Sequence, residues 1–160
     1  MVREVLRYPH PALKQVAREA HEPGEIARVA GDLEDTMDAF GHCVGLAATQ
    51  LGEMLRIVVV DVGGHRKAAS SNGRLMLVNP RIVAAEGAEV GREGCLSIPD
   101  LIANVRRATR IEVEAGDRRM VSEGFEARCL QHEIDHLDGL LFLDRVDSLT
   151  ADVFRRVRTQ

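Results

Sequence analysis

Aromatic side chains are scarce in this 160-residue sequence: there is no tryptophan, one tyrosine (Tyr8) and four phenylalanines. Stacking platforms for single-stranded nucleic acid are hard to build without them. An excess of positive charge is missing too. Twenty-one Lys+Arg against 25 Asp+Glu give a net charge of −4, so no global field draws in a polyanion, and no sequence-specific nucleic-acid partner is expected. No apolar run exceeds the length of Ile57–Val60, far below the about 20 residues of a membrane span. Arg3, Glu4 and Arg7 break up any signal-peptide core. The three cysteines, Cys43, Cys95 and Cys129, cannot all pair. With no export signal, they point to a reducing, cytoplasmic setting in which a cysteine is a core residue, a ligand or a nucleophile.

What is present describes one domain over 1–160, large enough for a core without disulfides. Ile26, Val29, Leu33, Met37 and Phe40 recur every three or four residues and predict a helix over 25–40. Residues 55–62 (LRIVVVDV) are continuous and β-branched, as a buried strand is. Residues 75–79 predict another strand, ended by Pro80 and continued by 81–85. Residues 110–115 alternate cleanly, and 118–125 fit as their hairpin partner. The polar stretch 63–73 is a loop. Residues 126–138 predict a helix with Ala127, Leu130, Ile134 and Leu137 on one face. Residues 140–146 form a short strand or turn, and Ser148 caps a last helix over 149–158. Strands cluster instead of alternating with helices, so the fold class is α+β.

The strongest chemical signal is His132-Glu133-Ile134-Asp135-His136 on the second of these helices. Two histidines four residues apart differ by about 40° around the axis and lie one turn apart, so both imidazoles can reach one metal. Glu133 faces the same side and suits a general base. The competing reading is a polar helix face with two surface histidines. A catalytic site of this kind needs a third protein ligand. Position 142, where an extended motif would place a histidine, is Phe142, and no glutamate follows Glu133. Cys95, in Glu93-Gly94-Cys95-Leu96-Ser97, is the best upstream candidate, since a thiolate suits zinc or ferrous iron. Asp144, Asp147 and Asp152 are weaker ones. Cys43 and Cys129 read better as packing residues. A structural metal site would be closed by four protein ligands. Three convincing ligands beside a glutamate favour an open, catalytic one.

A further stretch, Val44-Gly45-Leu46-Ala47-Ala48-Thr49-Gln50-Leu51-Gly52, has small residues that let a backbone approach closely, and an amide at Gln50 that can donate to an oxyanion. Alone it reads as a tight turn. Taken together, GLAATQ, EGCLS and QHEIDH, in that order and at these separations, resemble the peptide deformylase family. The resemblance starts near Tyr8-Pro9, includes Val78-Asn79-Pro80 and runs to Asp144-Arg145.

The resemblance implies an α+β fold with bent antiparallel sheets around a central helix bearing the HExxH motif. It implies removal of the N-formyl group from N-formyl-methionyl nascent chains in a bacterial-type cytoplasm. It assigns Cys95, His132 and His136 to one divalent metal ion, typically Fe²⁺, with Zn²⁺, Ni²⁺ or Co²⁺ able to replace it. Glu133 moves the proton, while Gln50 and the Leu96 N–H bind the developing oxyanion. Val44 and Gly45 receive the peptide main chain, and Phe125 and Cys129 line the methionine pocket beside His132. Arg107 pairs with Glu93 and Asp135 behind the site. Two features depart from the family pattern: Cys43 stands where a glycine is usual, and Cys95 and His132 are only 37 positions apart, with the shortening in the hairpin at 115–122. Both bear on substrate preference, so another N-acylated small substrate, or a short peptide cut by a conventional metalloprotease, stays open as the alternative. Arg155, Arg156 and Arg158 fit either transient contact with ribosomal RNA or, more simply, a solvated helix end.

Overall fold

The structure, a computed structural model, describes residues 1–157. Its elements run α1 (Pro23–Ala39), β1 (Gly45–Ala47), β2 (Ile57–Val60), β3 (Leu75–Val78), β4 (Arg81–Glu86), β5 (Glu89–Cys95), β6 (Ile98–Arg107), β7 (Arg110–Ala115), β8 (Arg118–Glu123), α2 (Gly124–Leu137) and β9 (Val153–Arg155), with 3₁₀ turns at Pro11–Lys14, Ala48–Leu51 and Phe142–Arg145. The strands form three antiparallel sheets, ordered β1-β2-β3, β4-β7-β8 and β5-β6-β9. This is an α+β arrangement.

The unbroken apolar run of β2 follows from its position between two helices. Ile57 and Val59 pack with Val29, Leu33 and Met37 of α1, while Val58 and Val60 pack with Ala127, Leu130, Ile134 and Leu137 of α2. A strand covered on both faces needs apolar residues at every position, and each such side chain contributes about 1.5–3 kcal/mol on burial. α1 starts where the Glu22 carboxylate accepts from the N–H groups of Gly24 and Glu25 at 2.9 and 2.6 Å, with Pro23 in the first turn, where its missing donor costs nothing. β7 and β8 pair in register from Arg110↔Glu123 to Ala115↔Arg118, and the alternation of β7 puts Ile111 and Val113 under α2.

Two expectations are corrected. The strands either side of Pro80 do not continue one another: β3 belongs to the first sheet and β4 to the second. Asn79 takes a positive φ of 53° at the break, and its side chain clamps the Ala20 backbone with two bonds of 2.8 Å. The helix expected over 149–158 is also absent among the described residues. Ser148 closes a turn through Ala151 N–H at 3.1 Å, and Val153–Arg155 pair instead with Leu101–Ala103 of β6. A ten-residue helix is marginal on its own, and here the edge of β6 offers ladder bonds to a segment with β-branched Val153. The helix-dipole argument for Arg155 and Arg156 falls with the helix, and Arg158 lies outside the described residues.

The N-terminal segment ties the motif loops together. Leu6 N–H donates to Gln50 O at 2.8 Å and Tyr8 N–H to Ser97 O at 2.9 Å.

Candidate metal centre and active site

Cys95 ends β5 at a bulge. The register with β6 shifts between Gly94 and Cys95, and a bulge turns a side chain away from the ladder direction. The thiol so aimed meets α2. Its sulfur lies 3.4 Å from His136 Nε2, and the donor atoms of Cys95, His132 and His136 all lie within 4.8 Å of one another. Among the described residues this is the cluster that can hold a metal ion. The weaker candidates have other partners: Asp144 takes Lys14 and the Leu141 N–H, Asp147 faces Arg106, and Asp152 accepts from Ser148 N–H.

The donor chemistry fits a divalent cation. His132 Nδ1 is bound to Glu93 Oε1 at 2.8 Å, which leaves Nε2 for a metal and fixes the ring, as outer carboxylates do at such centres. Burial alone would disfavour a charge on His132, but Glu133, Cys95 and Glu93 outweigh it and raise its pKa well above the usual value. Burial and the neighbouring His132 push His136 the other way, giving the neutral imidazole that ligation needs.

Glu133 is buried beside these ligands, with Oε1 unpaired. Desolvation raises its carboxyl to about 7 against the pull of His132. The structure gives Gly45 a task that its expected role as a main-chain contact does not include. A Cβ at position 45 would fall 2.7 Å from Glu133 Oε2, so the missing side chain makes room for this carboxylate. Gly45→Ala is expected to displace it and lower kcat about 100-fold without loss of metal. Steady-state turnover near that of the unchanged enzyme would show that Glu133 has space to move.

Gln50 is held by both ends. Its Oε1 accepts from Ala47 N–H at 3.0 Å, which fixes the amide orientation. Its Nε2 donates to Ser97 Oγ at 3.0 Å and lies 3.5 Å from Cys95 Sγ. The donor face therefore points at the cluster. Thr49 of the same motif bonds the His136 carbonyl at 3.3 Å.

Behind the ligands, Arg107 makes a two-pronged contact to Glu93 at 2.9 and 3.0 Å and reaches Asp135 at 2.6 Å. The sequence reading gave no role to two further arginines here. Arg128 reaches Glu93 at 2.8 Å, and Arg145 binds Asp135 at 2.9 and 3.1 Å. Arg128 carries no recognisable signal, since it lies between apolar positions of α2. Ser97 could have been found, because it closes the EGCLS motif.

A cavity of about 550 Å³ opens over the cluster. Val44, Gly45, Leu96, Phe125 and Cys129 line it together with Gln50 and Glu133. Phe125 is stacked under His65, ring centroids 4.5 Å apart. Cys43 also lines it, its thiol bonded to the Gly45 carbonyl at 3.1 Å. Burial, then the charge of Glu133, pushes that thiol up to about 12, so it stays protonated and is a poor ligand. Cys129 packs into the core between α2 and β2, its pKa raised mainly by burial.

The family model described as polypeptide deformylase matches residues 2–152. The chain belongs to the peptide deformylase family. A curated peptide deformylase of Alkalilimnicola ehrlichii is 44% identical over 160 residues, covering 96% of this chain and 86% of that protein. The crystal structure of a peptide deformylase from Legionella pneumophila superposes with a TM-score of 0.83 at 35% identity, covering 93% of this chain and 88% of that one. A Met-Ala-Ser-bound class I type b peptide deformylase from Acinetobacter baumannii gives 0.83 at 30% identity, covering 91% and 99%. As a peptide deformylase, the chain is a hydrolase that removes the N-formyl group from nascent polypeptides. The alternative of another N-acylated substrate is not favoured.

Proposed function

We propose that Cys95, His132 and His136 hold one divalent metal ion, Fe²⁺ in the native enzyme, with Zn²⁺, Ni²⁺ or Co²⁺ as workable substitutes. The observation that carries this reading is the convergence of one sulfur and two imidazole nitrogens within 4.8 Å of one another, beside a buried carboxylate with an unpaired oxygen. When bound, such a cation supplies Lewis acidity, which brings the pKa of water from about 15.7 towards about 7.

The residues of the chain do the rest. Glu133 accepts the proton of the attacking water and passes it to the departing amine nitrogen, a transfer worth about 10²–10⁴ in rate. The Gln50 Nε2 donor and the Leu96 N–H receive the oxygen of the formyl group as it gains charge, and one such donor is worth about 10²–10³. β1 and β5 are edge strands, and both reach the cavity, through Val44-Gly45 and Glu93-Gly94-Cys95. An extended peptide can add to such edges by main-chain hydrogen bonds, with the methionine side chain between Phe125 and Cys129. One metallohydrolase domain over 1–160, working in the bacterial cytoplasm, completes the reading.

The direct test is formate release from an N-formyl-Met tripeptide by anaerobically metal-loaded protein, with the N-acetyl peptide alongside. Release from the formyl peptide alone is expected. Equal release from both would move the activity to general N-acyl hydrolysis. Cys95→Ser is expected to weaken metal retention by more than the about 10–100-fold that outer partners are worth, measured by chelator competition. Unchanged retention would remove Cys95 from the ligand set.

A further inference from the structure

The mouth of the cavity is basic although the chain carries a net charge of −4. Arg66, Lys67, Arg92 and Arg156 line it, and all four are exposed. The two carboxylates of the cavity are both deep. Glu93 is committed to Arg107, Arg128 and His132, and Glu133 sits beside the ligand cluster. Among the described residues, no ion pair joins any of the four cations to a carboxylate. Elsewhere on this surface, arginines of similar exposure pair with acids, as Arg28 does with Glu53 and Arg119 with Glu112.

One of these cations is held by neutral groups, and a second is placed by its backbone and by the bare face of a glycine. Arg92, on β5, donates to Asn104 Oδ1 at 3.2 Å and lies 4.6 Å over the Phe154 ring. Arg156 follows β9 and is anchored by its N–H to Asp100 O at 2.8 Å. Its guanidinium rests on Gly94, where a Cβ would fall 2.2 Å from Nη2. Both guanidinia therefore stand beside the strand edge that leads into Cys95. Stacking and a neutral hydrogen bond orient the Arg92 guanidinium without spending its charge.

We propose that Arg156, assisted by Arg92, recognises a carboxylate on the substrate beyond the methionine. The source is either an acidic side chain in the next residues or the free C-terminus of a short peptide. This rests on the deformylase reading. With the formyl group at the buried ligands and the methionine in its pocket, the rest of the peptide leaves through the mouth that these two side chains help to line. The favoured substrates are thus formyl-methionyl peptides with a negative charge soon after methionine.

The test compares kcat/KM for metal-loaded full-length enzyme on four peptides. These are formyl-Met-Ala-Ser-amide, formyl-Met-Glu-Ser-amide, formyl-Met-Ala-Glu-amide and formyl-Met-Ala-Ser with a free C-terminus. At least one carboxylate peptide is expected to exceed the neutral amide by about fivefold, the scale of a well-oriented exposed ion pair, chiefly through KM. The two sources are separated by which peptide gains. High salt should shrink the advantage, as the screening length falls from about 10 Å at 0.1 M to about 3 Å at 1 M. Arg156→Gln should bring the ratio within about twofold of unity. Arg156→Lys should keep part of it, and Arg155→Gln, one position away, should leave it intact. A ratio near one in the unchanged enzyme, with the neutral peptide still turned over, overturns the proposal and spares the deformylase reading. Failure on all four peptides overturns both. A ratio unaffected by Arg156→Gln, with weakened binding to a short RNA, would assign the arginine to nucleic acid and overturn the proposal.

Discussion

Glu133→Ala is expected to lower kcat by about 10²–10⁴ while the protein keeps its full metal content. The two halves of this expectation rest on separate observations. Retention follows from the ligand cluster, which consists of Cys95, His132 and His136 and does not include Glu133. Loss of turnover follows from placement. Glu133 is one residue from His132 on α2, buried, with Oε1 free of any partner and Oε2 against the open face of Gly45. Burial lifts its carboxyl to about 7, so the group neither gives up nor takes a proton at great cost near neutral pH, as proton transfer in both directions requires. The measurement is formate release alongside elemental analysis of the same sample. Activity within a fewfold of the unchanged enzyme, in protein that holds its metal, would remove the base from the mechanism. Loss of metal together with activity would mean that Glu133 supports the cluster itself. Glu133→Gln, which keeps volume and removes only proton affinity, should match the alanine variant in rate.

The parts of this centre that could be read from the sequence are those written in local spacing. The two histidines and Glu133 lie within five consecutive positions on one helix, and their geometry follows from the helical period alone. The hairpin of β7 and β8 announces itself by alternation, and α2 by Ala127, Leu130, Ile134 and Leu137. Cys95 needed more, because its approach to His136 depends on a bulge in β5 that no residue type demands. β5 and β6 themselves are poorly marked. Gly91, Gly94, Pro99, Asp100 and Asn104 interrupt any alternation, and these strands are stabilised by pairing with each other and with β9 instead of by strand propensity. The same edge of β6 captured Val153–Arg155 and overrode a weak helical pattern. That placed Arg156 at the cavity mouth, where no reading of a basic C-terminal helix would put it. Arg128 was hidden for the opposite reason. A charged residue between apolar positions of a helix looks like a solvated face, and only the fold shows Glu93 beneath it.

Arg107→Met is expected to destabilise the fold by about 3–5 kcal/mol, the loss that follows when one partner of a buried ion pair is removed. Arg107 is buried at the end of β6 and holds two buried carboxylates, Glu93 from β5 and Asp135 from α2. It thereby joins the sheet that bears Cys95 to the helix that bears the histidines. Arg128 and Arg145 remain as partners for the two acids, which sets the lower end of the range. The sign of the pH dependence follows from Glu93. Burial raises its pKa, but His132 and Arg107 outweigh this and hold it at about 2, against an ordinary value of 4.5. A carboxylate held low contributes stability that is complete above about 4.5 and is lost as pH falls towards 2. The gap between the unchanged protein and the variant should therefore be widest near neutrality and narrow on acidification through that window. Arg107→Lys should recover only part of the loss, because an ammonium cannot repeat the two-pronged contact to Glu93. The same variants should bind metal about 10–100-fold more weakly, since Glu93 also orients His132. Denaturant unfolding at several pH values, with metal affinity measured in parallel, checks both effects. A loss under about 1 kcal/mol with unchanged metal affinity would mean that Arg128 and Arg145 carry the network without Arg107.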